Sequence, residues 1–184
     1  MGQSPITDTK FRRIFEEHFD AVTRYCLRRL PVADVNDATS EVFLVAWKKI
    51  DRVPSGEEAL PWLYGVARNV VRNASRSNRR SERLTGRLGG LARHHTPDPG
   101  AVVIRRREDE QLLDALSGLS ADDQEVLRLK AYEGLTAPQI AVALDISPEA
   151  AKKRLSRALA RLRRSAAVSD LSPHPRAIPE GGER

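Results

Sequence analysis

Cysteine occurs once, at Cys26, so no intrachain disulfide can form and a cysteine-based metal site is implausible. Long apolar runs are missing too: no stretch approaches the roughly 18 residues that a membrane span requires. The opening Met1-Gly2-Gln3-Ser4-Pro5 lacks the basic-then-apolar order of a secretion signal. No segment sustains the alternation of a half-buried strand, whereas apolar residues recur at helical spacing almost everywhere. Two of the four histidines, His94 and His95, are adjacent, so their side chains point apart and make a poor metal site. There is no phosphate-cradling glycine loop and no paired nucleophile and base. These absences lead us to expect an all-α, cytoplasmic protein that is not an enzyme and holds no metal or cofactor.

What the chain does have is positive charge in blocks. The net charge is +6 and the pI about 9.9, which favours an anionic partner such as nucleic acid or an acidic membrane surface. Residues 1–60 are near neutral. Residues 68–107 carry eleven arginines against only Glu82 and Asp98. Residues 108–146 hold nine acids against Arg128 and Lys130, and residues 147–165 return to seven bases against Glu149. Two separate basic blocks suggest two contact zones.

Helical periodicity divides the chain into two small domains joined by a flexible linker. In a first domain, residues 8–80, the stripe Phe11, Ile14, Phe15, Phe19, Val22, Cys26 and Leu30 defines a helix that Pro31 closes. A second helix is expected from a cap at Asp34 to about Ile50, with Ala38, Val42, Val45 and Ala46 inward. A third starts near Pro61, a residue suited to a first turn, and runs into arginine-rich sequence near Arg80. Between 81 and 107, Gly86, Gly89, Gly90, Pro97, Pro99 and Gly100 break any helix, which predicts a basic linker. Residues 108–165 form a second helical domain. The tail 166–184, with three prolines and two glycines, is expected to be disordered.

The second domain carries the most specific signal. Ser120 is placed to cap a helix that Gly134 ends. Thr136-Ala137-Pro138-Gln139 fits a capping box that opens a short helix with Ile140, Ala141 and Leu144 inward. Asp145-Ile146 makes a tight turn, Ser147 caps the next helix, and Pro148 takes its first position. In that last helix Ala151, Leu155, Ala158, Leu159 and Leu162 form the buried stripe, leaving Lys152, Lys153, Ser156 and Arg157 outward. Two short helices about a tight turn, the second one basic, make a helix-turn-helix whose second helix fits the DNA major groove. The blander alternative is a helical bundle with a solvated basic face.

The blocks Gly134-Leu135-Thr136, Gln139-Ile140-Ala141 and Ser147–Ala158 resemble the fourth conserved region of bacterial RNA polymerase sigma factors, in the extracytoplasmic-function (ECF) group of the sigma-70 family. Asp37–Trp47 resembles the second-region helix that grips the clamp helices of the polymerase largest subunit. Pro61–Asn69 resembles the start of the helix that reads the minus-ten element. Pro138, Ala150 and Ala151 depart from the family's usual residues. The resemblance implies a sigma factor that binds core RNA polymerase, at the clamp helices and the second-largest-subunit flap, and promoter DNA, with an anti-sigma protein as a further partner. It implies polymerase contacts at Asp37, Glu41, Phe43, Leu44 and Trp47. Minus-ten contacts fall at Trp62, Asn69, Arg72, Asn73 and Arg76. In the minus-thirty-five helix, Lys153, Ser156 and Arg157 face base edges, and Lys152 and Arg154 face phosphates.

Each assignment competes with a plainer one. Trp62 and Tyr64 can stack on unpaired bases, yet beside Leu63 and Val66 a tryptophan is more often core. Asp37 and Glu41, one turn apart, have the look of an acid–base pair, but no histidine or nucleophile accompanies them. A stand-alone helix-turn-helix regulator is the alternative function; it needs a dimer interface and a sensing domain, and neither is evident.

Overall fold

The computed structural model describes residues 5–84 and 118–171. Six α-helices carry them: α1 (Pro5–Leu27), α2 (Val32–Lys48), α3 (Ala59–Leu84), α4 (Ala121–Ala131), α5 (Ala137–Leu144) and α6 (Pro148–Leu171). No strand occurs among the described residues. The predicted linker from residue 85 to 107 and the tail from 172 lie outside them, as does the stretch 108–117 that opens the second predicted domain.

Helices α1, α2 and α3 pack pairwise on one another. The apolar stripes put Ile14, Val22, Cys26 and Leu30 against Val35, Ala38, Val42 and Ala46, with Leu63, Ala67 and Val70 closing the core. Between α2 and α3 the chain turns through two short 3-10 segments, where Lys10 Nζ donates to the carbonyls of Ile50 and Val53, each at 2.9 Å. Helix ends differ from the expectation in several places, α1 among them, since it ends at Leu27 and not at Leu30 beside Pro31. Helix α2 begins at Val32 after Pro31, with no side-chain cap. Asp34 therefore lies inside the first turn, where a carboxylate suits the positive end of the helix dipole. Helix α3 continues to Leu84, since Ser81–Leu84 contains no breaker, and α6 reaches Leu171, two residues short of Pro173.

The second half is built by its caps. The Ser120 hydroxyl accepts from the Asp123 amide at 3.2 Å, and Gly134 supplies the left-handed residue beyond α4, at φ +68°. The capping box forms as expected: Thr136 accepts from the Gln139 amide, and the Gln139 side chain accepts from the Thr136 amide at 2.9 Å. Asp145 turns the chain at φ 54°, a conformation that aspartate tolerates better than most residues, and Ser147 accepts from the Ala150 amide. Helices α4 and α5 then pack on α6.

The two halves are in contact. Helix α3 lies along α5, and their buried residues form one cluster in which Leu63 and Tyr64 belong with Ile140, Ala141 and Leu144. A β-carbon added at Gly65 would stand 2.8 Å from the Ala143 carbonyl oxygen, so the two backbones approach as closely as a bare glycine allows.

Cys26 is fully buried in α1, and burial raises its thiol pKa, disfavouring the reactive thiolate. A thiol reagent is expected to titrate no cysteine in the native protein and one after denaturation. Rapid labelling of the native chain would show that α1 leaves the core readily.

Candidate nucleic-acid interface

Three surfaces correspond to the three groups of candidate residues. On α2, Asp37 and Glu41 are exposed one turn apart, and Leu44 continues the same face at 49% exposure. Phe43 does not join them: it is 3% exposed and belongs to the core. It lies 4.8 Å from the Phe15 ring, 5.9 Å from Phe19 and 6.5 Å from Phe11, between centroids, so the aromatic residues of α1 cover it. Phe43 directly follows Val42 and shares its inward side, so it is covered where an exposed contact was expected. Trp47 is half-buried, its ring edge-on to Phe11 at 4.9 Å. Phe11, Phe15, Phe43, Leu44 and Trp47, with Asp8 and Ser40, line an open groove of about 430 Å³ between α1 and α2. Phe15 and Phe19 remain about 40% exposed along α1, where the periodic stripe had suggested burial.

On α3, Asn69, Arg72, Asn73 and Arg76 are all exposed. Their spacing of three and four residues puts them on one side of the helix. Trp62 is half-buried and packs against the core, and Tyr64 is 4% exposed, so Tyr64 faces inward and offers no ring to a base. On α6, Lys152, Lys153, Ser156 and Arg157 are exposed and Arg154 is half-buried, while Ala151 and Ala158 are fully covered. Among the described residues no carboxylate pairs with Arg72, Arg76, Lys152, Lys153, Arg154 or Arg157.

Four acids of the block 108–146 are, by contrast, used internally. Asp123 pairs with Arg161 of α6, and Asp122 with Arg68 of α3 at 2.8 Å. Glu125 of α4 accepts from the Tyr25 hydroxyl at 2.7 Å and from the Arg29 guanidinium at 3.2 Å. Glu133 accepts from Arg29 at 3.1 Å and from Arg28, and its side chain is 1% exposed. The Arg29 guanidinium carbon sits 3.5 Å from the Tyr25 ring centroid. Burial, with the Glu125 carboxylate beside it, pushes the Tyr25 hydroxyl well above its ordinary pKa. Burial and Glu133 likewise push Tyr64 up to about 12. Both tyrosines therefore stay protonated donors. The sequence reading did not find Tyr25, Arg28, Arg29, Glu125 or Glu133; the concentration of acids in residues 108–146 is the signal that could have found the two glutamates.

The arrangement defines an all-helical DNA-binding protein with a helix-turn-helix presenting a basic second helix. Comparison narrows this. Residues 14–81 match the family description "Sigma-70 region 2", and residues 109–162 match "Sigma-70, region 4". The chain is 32% identical over 157 residues to the ECF RNA polymerase sigma factor SigL of Mycobacterium tuberculosis, covering 83% of this chain and 86% of that protein. It is 35% identical over 135 residues to the Xanthomonas campestris protein named probable RNA polymerase sigma factor RfaY, covering 72% of this chain but spanning only 34% of that protein. Among solved structures, the sigma factor RpoE in complex with the anti-sigma factor NepR, from Bartonella quintana, has the same fold, with a TM-score of 0.59 at 21% identity, covering 86% of this chain and 97% of that one. The chain belongs to the ECF group of sigma-70 RNA polymerase sigma factors. Proteins of this family direct RNA polymerase to promoters at initiation, and that places the chain in transcription.

Proposed function

We propose that the first helical unit binds core polymerase through α2 and melted minus-ten DNA through α3, and that α6 reads the minus-thirty-five element in duplex DNA. Asp37, Glu41 and Leu44 are the polymerase-facing residues, flanking the aromatic groove. Asn69, Arg72, Asn73 and Arg76 meet the single-stranded element and its phosphates, with Trp62 at the edge of that surface. Lys152, Lys153, Arg154, Ser156 and Arg157 meet the duplex. The units correspond to residues 8–80 and 108–165, joined through 81–107. The observation that carries this reading is the pair of exposed basic faces, one on α3 and one on α6, whose cations have no carboxylate partner among the described residues.

The stand-alone regulator is not favoured, because both halves match sigma regions in the family's order. An anti-sigma protein is a further proposed partner, for which the half-exposed Phe15, Phe19 and Leu44 offer apolar surface. Such complexes are known for the structural relative RpoE with NepR. Among the described residues no helix is long and apolar enough to cross a membrane, which accords with a proposed cytoplasmic location. The test is transcription with purified core polymerase on a promoter library. Promoter-dependent initiation that requires this chain is the expected result. Duplex binding without any effect on polymerase would restore the regulator.

A further inference from the structure

Lys10 lies on α1, yet its half-buried side chain is bound to the turn that joins α2 to α3. Its ammonium donates to the Ile50 and Val53 carbonyls, 40 and 43 residues away in sequence, each at 2.9 Å. Among the described residues no carboxylate pairs with it. Two charge-assisted bonds to the main chain stand in for the hydration the ammonium gives up. Of the turn's own bonds, the Arg52 amide reaches the Lys49 carbonyl at 2.8 Å, but the Val53 amide reaches the Ile50 carbonyl only at 3.3 Å. Beyond Val53, Pro54 has no amide to donate and Gly56 takes a φ of +68°. The exit of the turn is thus its less supported end, and there Lys10 binds.

This turn delivers the start of α3. Trp62, Asn69 and Arg76 follow one another at seven-residue spacing, which returns to within about 20° of the same side of a helix. The DNA-facing line proposed above therefore runs from Arg76 back to Trp62, where the helix is about to end. Ser55–Glu58, the exposed segment between the turn and α3, stands just ahead of Trp62. Helix α3 itself is anchored by the fully buried Leu63 and Ala67. Slackening the turn would leave the helix in place and displace the segment.

We infer that Lys10 is a positioning residue for minus-ten recognition: by fixing the exit of the α2–α3 turn, it sets where Ser55–Glu58 stands at the Trp62 end of α3. Lys10 acts through the turn and not as a DNA contact. The inference rests on the proposed reading of α3 as the minus-ten element.

Three variants of the full chain test it, each assayed as holoenzyme on a panel of single-base minus-ten variants. Lys10→Met keeps the length of the side chain and removes its donors. Lys49→Met removes an equal charge from the exposed entry of the same turn and leaves the tie intact. Gly56→Val forces the segment to change its backbone, since a β-branched residue does not hold this φ, while the new β-carbon meets nothing within 4 Å. For Lys10→Met and Gly56→Val, preference for the best minus-ten sequence over its single-base variants should fall about tenfold, the scale of one lost base contact. Their affinity for core polymerase and their minus-thirty-five preference should stay within about twofold of wild type, as expected of distant sites. Lys49→Met should leave the preference ratios unchanged.

Preference kept by Lys10→Met, or lost to the same degree by Lys49→Met, would overturn the inference. So would a lowered melting temperature with every promoter affected equally, the mark of a tie that only stabilises. Should Lys10→Met fail to fold, Gly56→Val decides: lost preference upholds the inference, and unchanged preference overturns it by showing that the segment's position is immaterial. Failure of the underlying reading is separable, because wild-type minus-ten preference would then be unaltered by Asn69→Ala and Arg72→Ala.

Discussion

Replacing Asp37 and Glu41 together with lysine is expected to abolish stable binding to core RNA polymerase while leaving helix content unchanged. Both side chains are exposed, one turn apart on α2, on the side away from buried Ala38 and Val42. Among the described residues no ion pair uses either carboxylate, so their loss removes no internal salt bridge there. The double substitution changes the local charge by four units. Like charges brought together at an interface cost several kcal/mol, and at about 1.4 kcal/mol per decade that is two or more decades of affinity. Co-elution of the variant with core enzyme, with circular dichroism as the fold control, is the measurement. Unaltered co-elution would remove α2 from the polymerase-binding surface.

Phe43 supplies the contrast. Phe43→Ala should also abolish binding, but by unfolding: a core phenylalanine replaced by alanine costs about 3–5 kcal/mol, and the loss appears as a lowered melting temperature. The two variants separate a contact residue from a residue that supports the contact.

That distinction marks how much of the molecule its sequence discloses. Features set by residues within one turn of each other were legible. Thr136 and Gln139 close their capping box, Ser120 and Ser147 cap as expected, and Lys152, Lys153, Ser156 and Arg157 face outward. Capping and helical spacing are local matters, and the sequence states them directly. Where three helices share a core the stripe is wider than a single periodicity, so Phe43 goes inward while Phe15 and Phe19 stay half-exposed. Which of two neighbouring apolar positions is covered depends on what the next helix brings, and α1 brings aromatic rings.

The contact between the two halves was not legible for a different reason. Tyr25, Arg28 and Arg29 stand about a hundred residues from Glu125 and Glu133, and no periodicity links them. Only composition gave a hint, in nine acids across residues 108–146 beside neutral and basic blocks. Four of those acids, Asp122, Asp123, Glu125 and Glu133, prove to be partners for arginines, three of them in the opposite half. Charge segregation that reads as two external contact zones is thus partly internal bookkeeping. The basic residues left unpaired are the ones that mark the outward surfaces.

The outward residues of α6 should in turn divide by the kind of contact they make. Lys152, Lys153, Ser156 and Arg157 are exposed; in the proposed reading Lys153, Ser156 and Arg157 face base edges, and Lys152 and Arg154 face phosphates. Arg157→Ala is expected to cost roughly 1–3 kcal/mol and to relax preference at one or two minus-thirty-five positions, because a guanidinium can bridge two acceptors of one guanine. Lys152→Ala should weaken every promoter about equally and lower the salt slope by roughly one unit, since it gives up about one released counterion. Neither change should disturb the fold, because the stripe that packs α6, Ala151 and Ala158 at its centre, is untouched. The measurement is binding of each variant, as holoenzyme, to a panel of minus-thirty-five sequences at several salt concentrations. Uniform loss across the panel for Arg157→Ala would make it a phosphate contact and not a reader. If neither substitution mattered, α6 would not be the element that meets the duplex, and the basic face on α3 would have to carry promoter recognition alone.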